Sequence, residues 1–369
     1  FLVTKKMLEL FKRKDDEPEY YSLYALPAAV LLGGYGLLLA KGAVESSALI
    51  ALVSGVCCIG CIGALGKQVT ARLGNVLGLG GVAFGLAATL GGMLGAGATT
   101  AGLIGIAGLL AFGSVGGLAV ATRVGPTELP QTVAAFHSLV GLAAAFTGAG
   151  EYLLRAATGA VGGAVGIAIF LATFLGGLTA TGSVVAFGKL QGILNSAPAA
   201  LPKKNWVNGL VVALNAWVLA RFLTAPAAAG LKLLMIAAAS SAFLGAHVTS
   251  SIGGADMPVV ITSLNSASGW ALCAEGFMLQ SSLLTTVGAL IGFSGAILTA
   301  DMCQSMNRGI ISVLLGGAVK PKKKGDAAVK EYAPHTEVGV GGLASRLAEA
   351  KSVVIVPGYG LAVAGAQYA

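Results

Sequence analysis

The chain has 369 residues, of which 56% are hydrophobic and only 10% charged, with a mean hydropathy of +0.85. Soluble domains carry about 25% charged residues, so this composition excludes one and describes a polytopic membrane protein. The 56 glycines suit helices that pack through small faces and argue against an outer-membrane barrel, whose strands would read as short alternating segments. The net charge of +8 fits basic loops gathered on one membrane face, and nucleic acid is not an expected partner.

In chain order, residues 1–20 read as the end of a preceding transmembrane helix, then a basic turn at Lys12-Arg13-Lys14 and an acidic linker through Pro18. The sequence opens without Met or a signal-peptide pattern, and the expectation is a fragment or processed piece of a longer polypeptide. Ten apolar runs follow, near 21–40, 46–66, 73–95, 99–122, 129–151, 161–187, 206–223, 229–249, 257–279 and 283–303. Each is long enough to span about 30 Å of hydrocarbon. An even number of crossings puts both ends on one side, and most loop lysines and arginines fall there. Only Lys41, Arg155, Arg221 and Lys232 lie opposite, which makes the crowded side the cytoplasm or matrix. Cys57, Cys58, Cys61, Cys273 and Cys303 sit in apolar runs without neighbours to complete a metal site, and read as buried free thiols.

The membrane unit is expected over 21–310, a linker rich in lysine over 311–340, and the truncated start of a soluble domain over 341–369. Within that tail, 341–351 is an amphipathic helix, and Ser352-Val353-Val354-Ile355-Val356 is a strand running into Pro357-Gly358-Tyr359-Gly360. A strand, a Gly-x-Gly turn and a small-residue helix begin a Rossmann-type unit. Val363 leaves the glycine pattern incomplete, so a nucleotide site and a plain βα turn both remain open. The expected fold class is therefore an all-α polytopic membrane helix bundle followed by the beginning of a Rossmann-like α/β domain.

Few ionisable groups lie within the apolar runs. His137 is eight residues past Leu129, roughly 12 Å below the basic face at about 1.5 Å per residue. Asn265 is nine residues past Asp256 and enters from the same face, so the two share a depth. Ser183 sits on the sixth run, somewhat nearer that face. Histidine titrates near neutral pH, and an amide and a hydroxyl at its level make a proton relay. A histidine bonded across two helices as packing glue is the competing reading. Asp256 follows Ile252-Gly253-Gly254-Ala255 and opens a helix at Met257-Pro258, where it serves as an acid near a helix N-terminus or senses a soluble domain on the basic face. His247 reads as an interfacial histidine, and Glu275 and Asp301 as groups reaching water near the run ends.

Taken together, the motifs resemble the proton-translocating nicotinamide nucleotide transhydrogenases, in the membrane domain and the start of the NADP(H)-binding domain. The likeness is carried by Ala134-Ala135-Phe136-His137-Ser138-Leu139-Val140-Gly141, Gly182-Ser183-Val184-Val185-Ala186-Phe187-Gly188-Lys189, Ile252-Gly253-Gly254-Ala255-Asp256-Met257-Pro258 and Leu264-Asn265-Ser266, and continues through Met306-Asn307-Arg308 and Pro357-Gly358-Tyr359-Gly360. Asp301 departs from the pattern, standing where an aromatic is expected. The resemblance implies an enzyme that couples hydride transfer between NAD(H) and NADP(H) to proton movement, with no metal. It implies a proton path through His137, Asn265 and Ser183, coupling at Asp256, and the start of the NADP(H) site at Gly358 and Gly360. It further implies an NAD(H)-binding domain and remaining membrane helices as partners, in the same or a separate chain, a homodimer, and the mitochondrial inner membrane with the tail in the matrix, or alternatively a bacterial inner membrane with the tail in the cytoplasm. The run at 21–40 looks like the helix that joins the membrane halves in a single-polypeptide form. A secondary transporter and a structural membrane subunit with a regulatory tail are the alternatives; the former predicts internal repeats, and none is evident between the halves.

Overall fold

The computed structural model describes residues 1–9, 20–125, 128–157, 161–314, 338–354 and 356. After the short helix α1 (Leu2–Glu9) and a 3-10 turn (Tyr21–Tyr24) come the long helices α2 (Ala25–Ala40), α3 (Ser46–Leu65), α4 (Ala71–Gly95), α5 (Thr100–Arg123), α6 (Leu129–Ala156), α7 (Gly163–Leu190), α8 (Lys204–Thr224), α9 (Ala227–Ser250), α10 (Met257–Met278) and α11 (Ser282–Ser305). Short helices α12 (Ile310–Leu314) and α13 (Val340–Glu349) follow. The ten expected runs all coincide with helices. Among the described residues, nine helices are long and apolar enough to cross a membrane. The tenth, α10, has 22 residues but carries Thr262, Ser263, Asn265, Ser266, Ser268 and Glu275. Its polar side chains find room because α10 packs on α6, α7 and α11 rather than facing lipid.

Lipid is as apolar as leucine, so these helices gain little from hydrophobic burial and associate where backbones approach closely. A Cβ on Gly141 of α6 would lie 2.5 Å from Ala180 N and 2.6 Å from Gly176 O on α7. A Cβ on Gly148 would lie 2.7 Å from Thr173 Oγ1 and 3.1 Å from Ile169 O. These two approaches fix an antiparallel register for α6 and α7, and one turn back along it His137 comes level with Ser183. On α7, a Cβ at Gly182 would meet the Leu264 side chain of α10 at 3.1 Å and Thr249 Oγ1 of α9 at 3.1 Å. Helix α7 is thus the centre of the bundle, with α6, α9 and α10 around it, and Ile169, Ala172, Thr179, Ser183 and Ala186 on it are fully buried.

The α3–α4 pair joins this group through Leu283 of α11, which reaches Gly55 and Gly85. Helix α5 contributes no buried residue; its C-terminal carbonyls at Ala121, Thr122 and Val124 accept hydrogen bonds from Lys6 Nζ at 2.8, 2.9 and 3.2 Å.

The tail differs from expectation. The amphipathic helix forms as α13, but Ser352, Val353, Val354 and Val356 carry no strand, and among the described residues there is none at all. A strand exists only as part of a hydrogen-bonded ladder, and no described segment pairs with this stretch. The structure therefore does not support the Rossmann-like α/β start; Gly358, Gly360 and Val363 lie outside the described residues.

Because the α6–α7 contact has no space for a side chain, Gly141→Leu should overpack it. Overpacking typically costs about 1–3 kcal/mol, which should appear as a lower unfolding temperature in detergent. Gly108→Leu on α5, where a Cβ meets nothing within 4 Å, should leave that temperature unchanged.

Candidate proton site

His137 on α6 and Asn265 on α10 meet in a hydrogen bond of 3.0 Å between Nε2 and Oδ1. The amide oxygen can only accept, so Nε2 carries the hydrogen and the neutral ring presents its lone pair at Nδ1. Nδ1 is buried and has no hydrogen-bond partner among the described residues. The second sequence candidate, Ser183, is likewise fully buried with an unpartnered Oγ. The structure thus joins His137 to Asn265 directly and brings Ser183 level with them, but no hydrogen bond links Ser183 to either.

Asn265 is held from behind by α11. Ser266 Oγ donates to Gly292 O at 2.7 Å, and a Cβ on Gly295 would lie 3.0 Å from Asn265 Nδ2 and 2.8 Å from Ser266 N. Only a glycine at 295 admits the amide there.

Towards the basic face, Ala134, Ala186, Ile252, Met257, Val260, Ile261 and Leu264 form a buried apolar cluster. It stands between the His137–Asn265 pair and the loops. Beyond it, Asp256 forms a mostly buried salt bridge with Arg308, tying the start of α10 to the end of α11. Just past Arg308, Val313 of α12 is buried against Val259 and Cys303. Lys189 ends α7 with its side chain buried and Nζ donating to Ser250 O at 2.7 Å, Ile252 O at 2.6 Å and Ala197 O at 3.3 Å. Carbonyls at a helix C-terminus attract cations, and Lys189 supplies one to α9.

Sequence reasoning missed Lys189, although a lysine at the last turn of an otherwise apolar run was a visible signal. It also placed Asp256 without its partner Arg308. His247, expected at an interface, is buried and fully bonded. Leu201 N–H donates to Nε2 at 3.2 Å and the ring's Nδ1 meets Asn208 Oδ1 at 2.7 Å, while the ring stacks on Phe243. Near the opposite face, Glu275 is half-buried and hydrogen-bonded to the Thr147 side chain, whereas Asp301 is exposed. The five cysteines are free, and no group of three or more His, Cys, Asp or Glu capable of holding a metal occurs among the described residues.

The family model described as "NAD(P) transhydrogenase beta subunit" matches residues 47–369. The chain belongs to that family. It is 40% identical over 330 residues to the NAD(P) transhydrogenase subunit beta of Rhodospirillum rubrum, covering 86% of this chain and 68% of that one, with the same figures for the subunit from a named strain of the species. The chain is accordingly a membrane part of a transhydrogenase beta subunit. Those relatives are bacterial, and they give the mitochondrial placement no support. The family match begins within α3, leaving α1 and α2 outside it.

Replacing Lys189 with Met should strand three carbonyls, of which that of Ile252 is buried. An unsatisfied buried acceptor costs about 1–3 kcal/mol, so the unfolding temperature should fall, with faster amide hydrogen exchange at residues 251–254. Lys189→Arg, which keeps the charge, should recover part of the loss.

Proposed function

We propose that this chain is the proton-translocating part of a membrane-bound NAD(P) transhydrogenase, moving protons through His137 as hydride passes between NAD(H) and NADP(H) on other domains. The observation that carries the reading is a half-buried histidine with one nitrogen fixed and the other, Nδ1, buried and open. Nε2–H is committed to Asn265 Oδ1, so Nδ1 is the atom that takes up a proton. Uptake gives an imidazolium still donating through Nε2, and release from Nδ1 restores the neutral ring in the same tautomer. Asn265 holds the ring in place across the cycle, and Ser183 offers a hydroxyl at the same depth. A histidine serving only as packing glue would have its second nitrogen spent as well, as His247 does.

The apolar cluster of Met257, Ile261 and Leu264 with Ala134 and Ala186 separates Nδ1 from the basic face. Asp256, bound to Arg308 at the point where the chain leaves for the tail, is the residue through which the state of a nucleotide domain reaches this layer. The membrane unit then spans 21–310, residues 311–340 connect, and 341–369 begin the NADP(H)-binding domain with Gly358 and Gly360 at its phosphate turn. NAD(H) and NADP(H) are substrates of the complete enzyme. An NAD(H)-binding domain and further membrane helices complete it, as a homodimer in a bacterial inner membrane with the tail in the cytoplasm.

In the complete enzyme reconstituted into vesicles, His137→Ala should abolish the pH gradient formed during transhydrogenation. Asn265→Leu, which removes the hydrogen bond that holds the ring, should reduce it by about 10-fold, the scale of one lost hydrogen bond. Wild-type pumping by His137→Ala would remove His137 from the path.

A further inference from the structure

Helix α2 is seated on its neighbours well past its middle, counted from the basic face. Its one buried residue is Tyr35, whose hydroxyl meets Ser47 Oγ at 2.7 Å and lies against Gly91 of α4. Around that ring Ile50, Phe84 and Ala88 make a small buried apolar cluster. Between this seat and the basic face lies a cavity of about 970 Å³, walled by α1, α2, α3, α4 and the 3-10 turn before α2. The α2 residues that line it fall within 25–31 and the α4 residues within 72–84, all on the basic-face side of Tyr35 and Gly91. None of residues 25–31 is buried.

Polarity is divided along the length of the cavity. Lys5, Glu9 and Arg72 line its end at the basic face, and Leu31, Val53 and Phe84 line its inner end. Among the described lining residues two cations thus face one carboxylate, which stands 3.8 Å from Lys5 Nζ in an exposed pair. The Arg72 guanidinium reaches Leu8 O of α1 at 3.5 Å, which holds it beside Lys5 at the mouth. From Arg72 to Phe84, α4 covers roughly 18 Å at about 1.5 Å per residue, and one leaflet is about half of a bilayer roughly 40–45 Å thick. A water-soluble ligand gains nothing from an apolar floor at that depth. A further transmembrane helix cannot run through a cavity that the Tyr35 cluster closes midway. A molecule with an anionic head and apolar chains one leaflet long matches both ends.

We propose that this cavity is a binding site for one anionic phospholipid of the basic-side leaflet, with its phosphate between Lys5 and Arg72 and its acyl chains against Leu31, Val53 and Phe84. Basic pockets between transmembrane helices on the cytoplasmic side hold such head groups, because that leaflet carries the anionic lipid. The lipid fills the space beside α2 and joins it to α4 over the stretch where no α2 side chain is buried. The site is separate from His137 and does not depend on its role.

The test uses the complete enzyme purified in mild detergent and titrated with phosphatidylglycerol or with phosphatidylcholine of the same chains. Retained lipid is counted by native mass spectrometry, and the unfolding temperature is measured in parallel. Phosphatidylglycerol should be retained in preference and should raise that temperature. Lys5→Gln, at an exposed side chain, should weaken its retention about 5-fold, the scale of one basic residue at a membrane surface, while Lys5→Arg should keep it. Gly80→Leu, where a Cβ meets only Phe84 Cε2 at 3.8 Å, fills the cavity from α4 and should abolish retention there. Equal retention of the two lipids by the wild type overturns the site, as does phosphatidylglycerol retention at the wild-type level in either Lys5→Gln or Gly80→Leu. Should Gly80→Leu not fold, photoreactive phosphatidylglycerol on the wild-type enzyme decides. Cross-links to residues 25–31 and 76–84 support the site, and cross-links confined to other segments overturn it.

Discussion

Close approach of helix backbones at small residues is the constraint on which this structure depends. In a bilayer, helices gain little by hiding apolar side chains from one another, so contact must come from packing and from hydrogen bonds between helices. Gly141 and Gly148 seat α6 on α7, and Gly269 and Gly292 seat α10 on α11, where a side chain at Gly269 would run into the Gly292 backbone and one at Gly292 into the Trp270 ring. The same contacts fix register. A larger residue at Gly141 would change the separation of α6 and α7 and, with it, the level at which His137 faces its neighbours.

That register sets up a contrast between two histidines on α6 and α9, both of which pack against α7. His247 gives Nε2 to a backbone N–H and Nδ1 to Asn208, and its ring has no lone pair left for a proton. His137 gives only Nε2. Both are held by an asparagine side chain and both lie within apolar helices, so residue type and immediate sequence do not distinguish them. What separates them is the second nitrogen, and that depends on where a loop backbone happens to run. The 195–201 segment folds across the end of α9 and brings Leu201 to His247, and nothing comparable reaches Nδ1 of His137.

Much of this was legible in the sequence because depth in a membrane is a matter of counting. A fixed rise per residue puts His137 and Asn265 at one level from their distances to Leu129 and Asp256, and the two are found bonded. The helices were legible for the same reason, each apolar run being cut to the thickness it spans. Direction around the helix axis is not counted so easily. Nothing in the pattern of α7, apolar on every side, showed that Gly176 and Ala180 meet α6 and Gly182 meets α10 while Thr181 turns to α9 and donates to Ala242 O. The partners of Lys189 were hidden because they are backbone carbonyls from three separate segments, which have no signature in residue type. Arg308 was visible as part of a family motif, but its pairing with Asp256 joins residues 52 apart, a distance no local pattern spans. The tail read well where the signal was the 3.6-residue period of α13, and failed at 352–354 and 356, where β-branched residues state a preference that only a paired strand can realise.

The carbonyls bound by Lys189 belong to the α7–α8 connection at Ala197, the last residue of α9 at Ser250 and the α9–α10 connection at Ile252. One ammonium group therefore rivets the end of α7 to both crossings beside it. Four residues beyond Ile252 the chain reaches Asp256 and its arginine. Held at these three carbonyls, the end of α7 and the two connections beside it form one tied unit, and the start of α10 at Asp256 is only four residues from it.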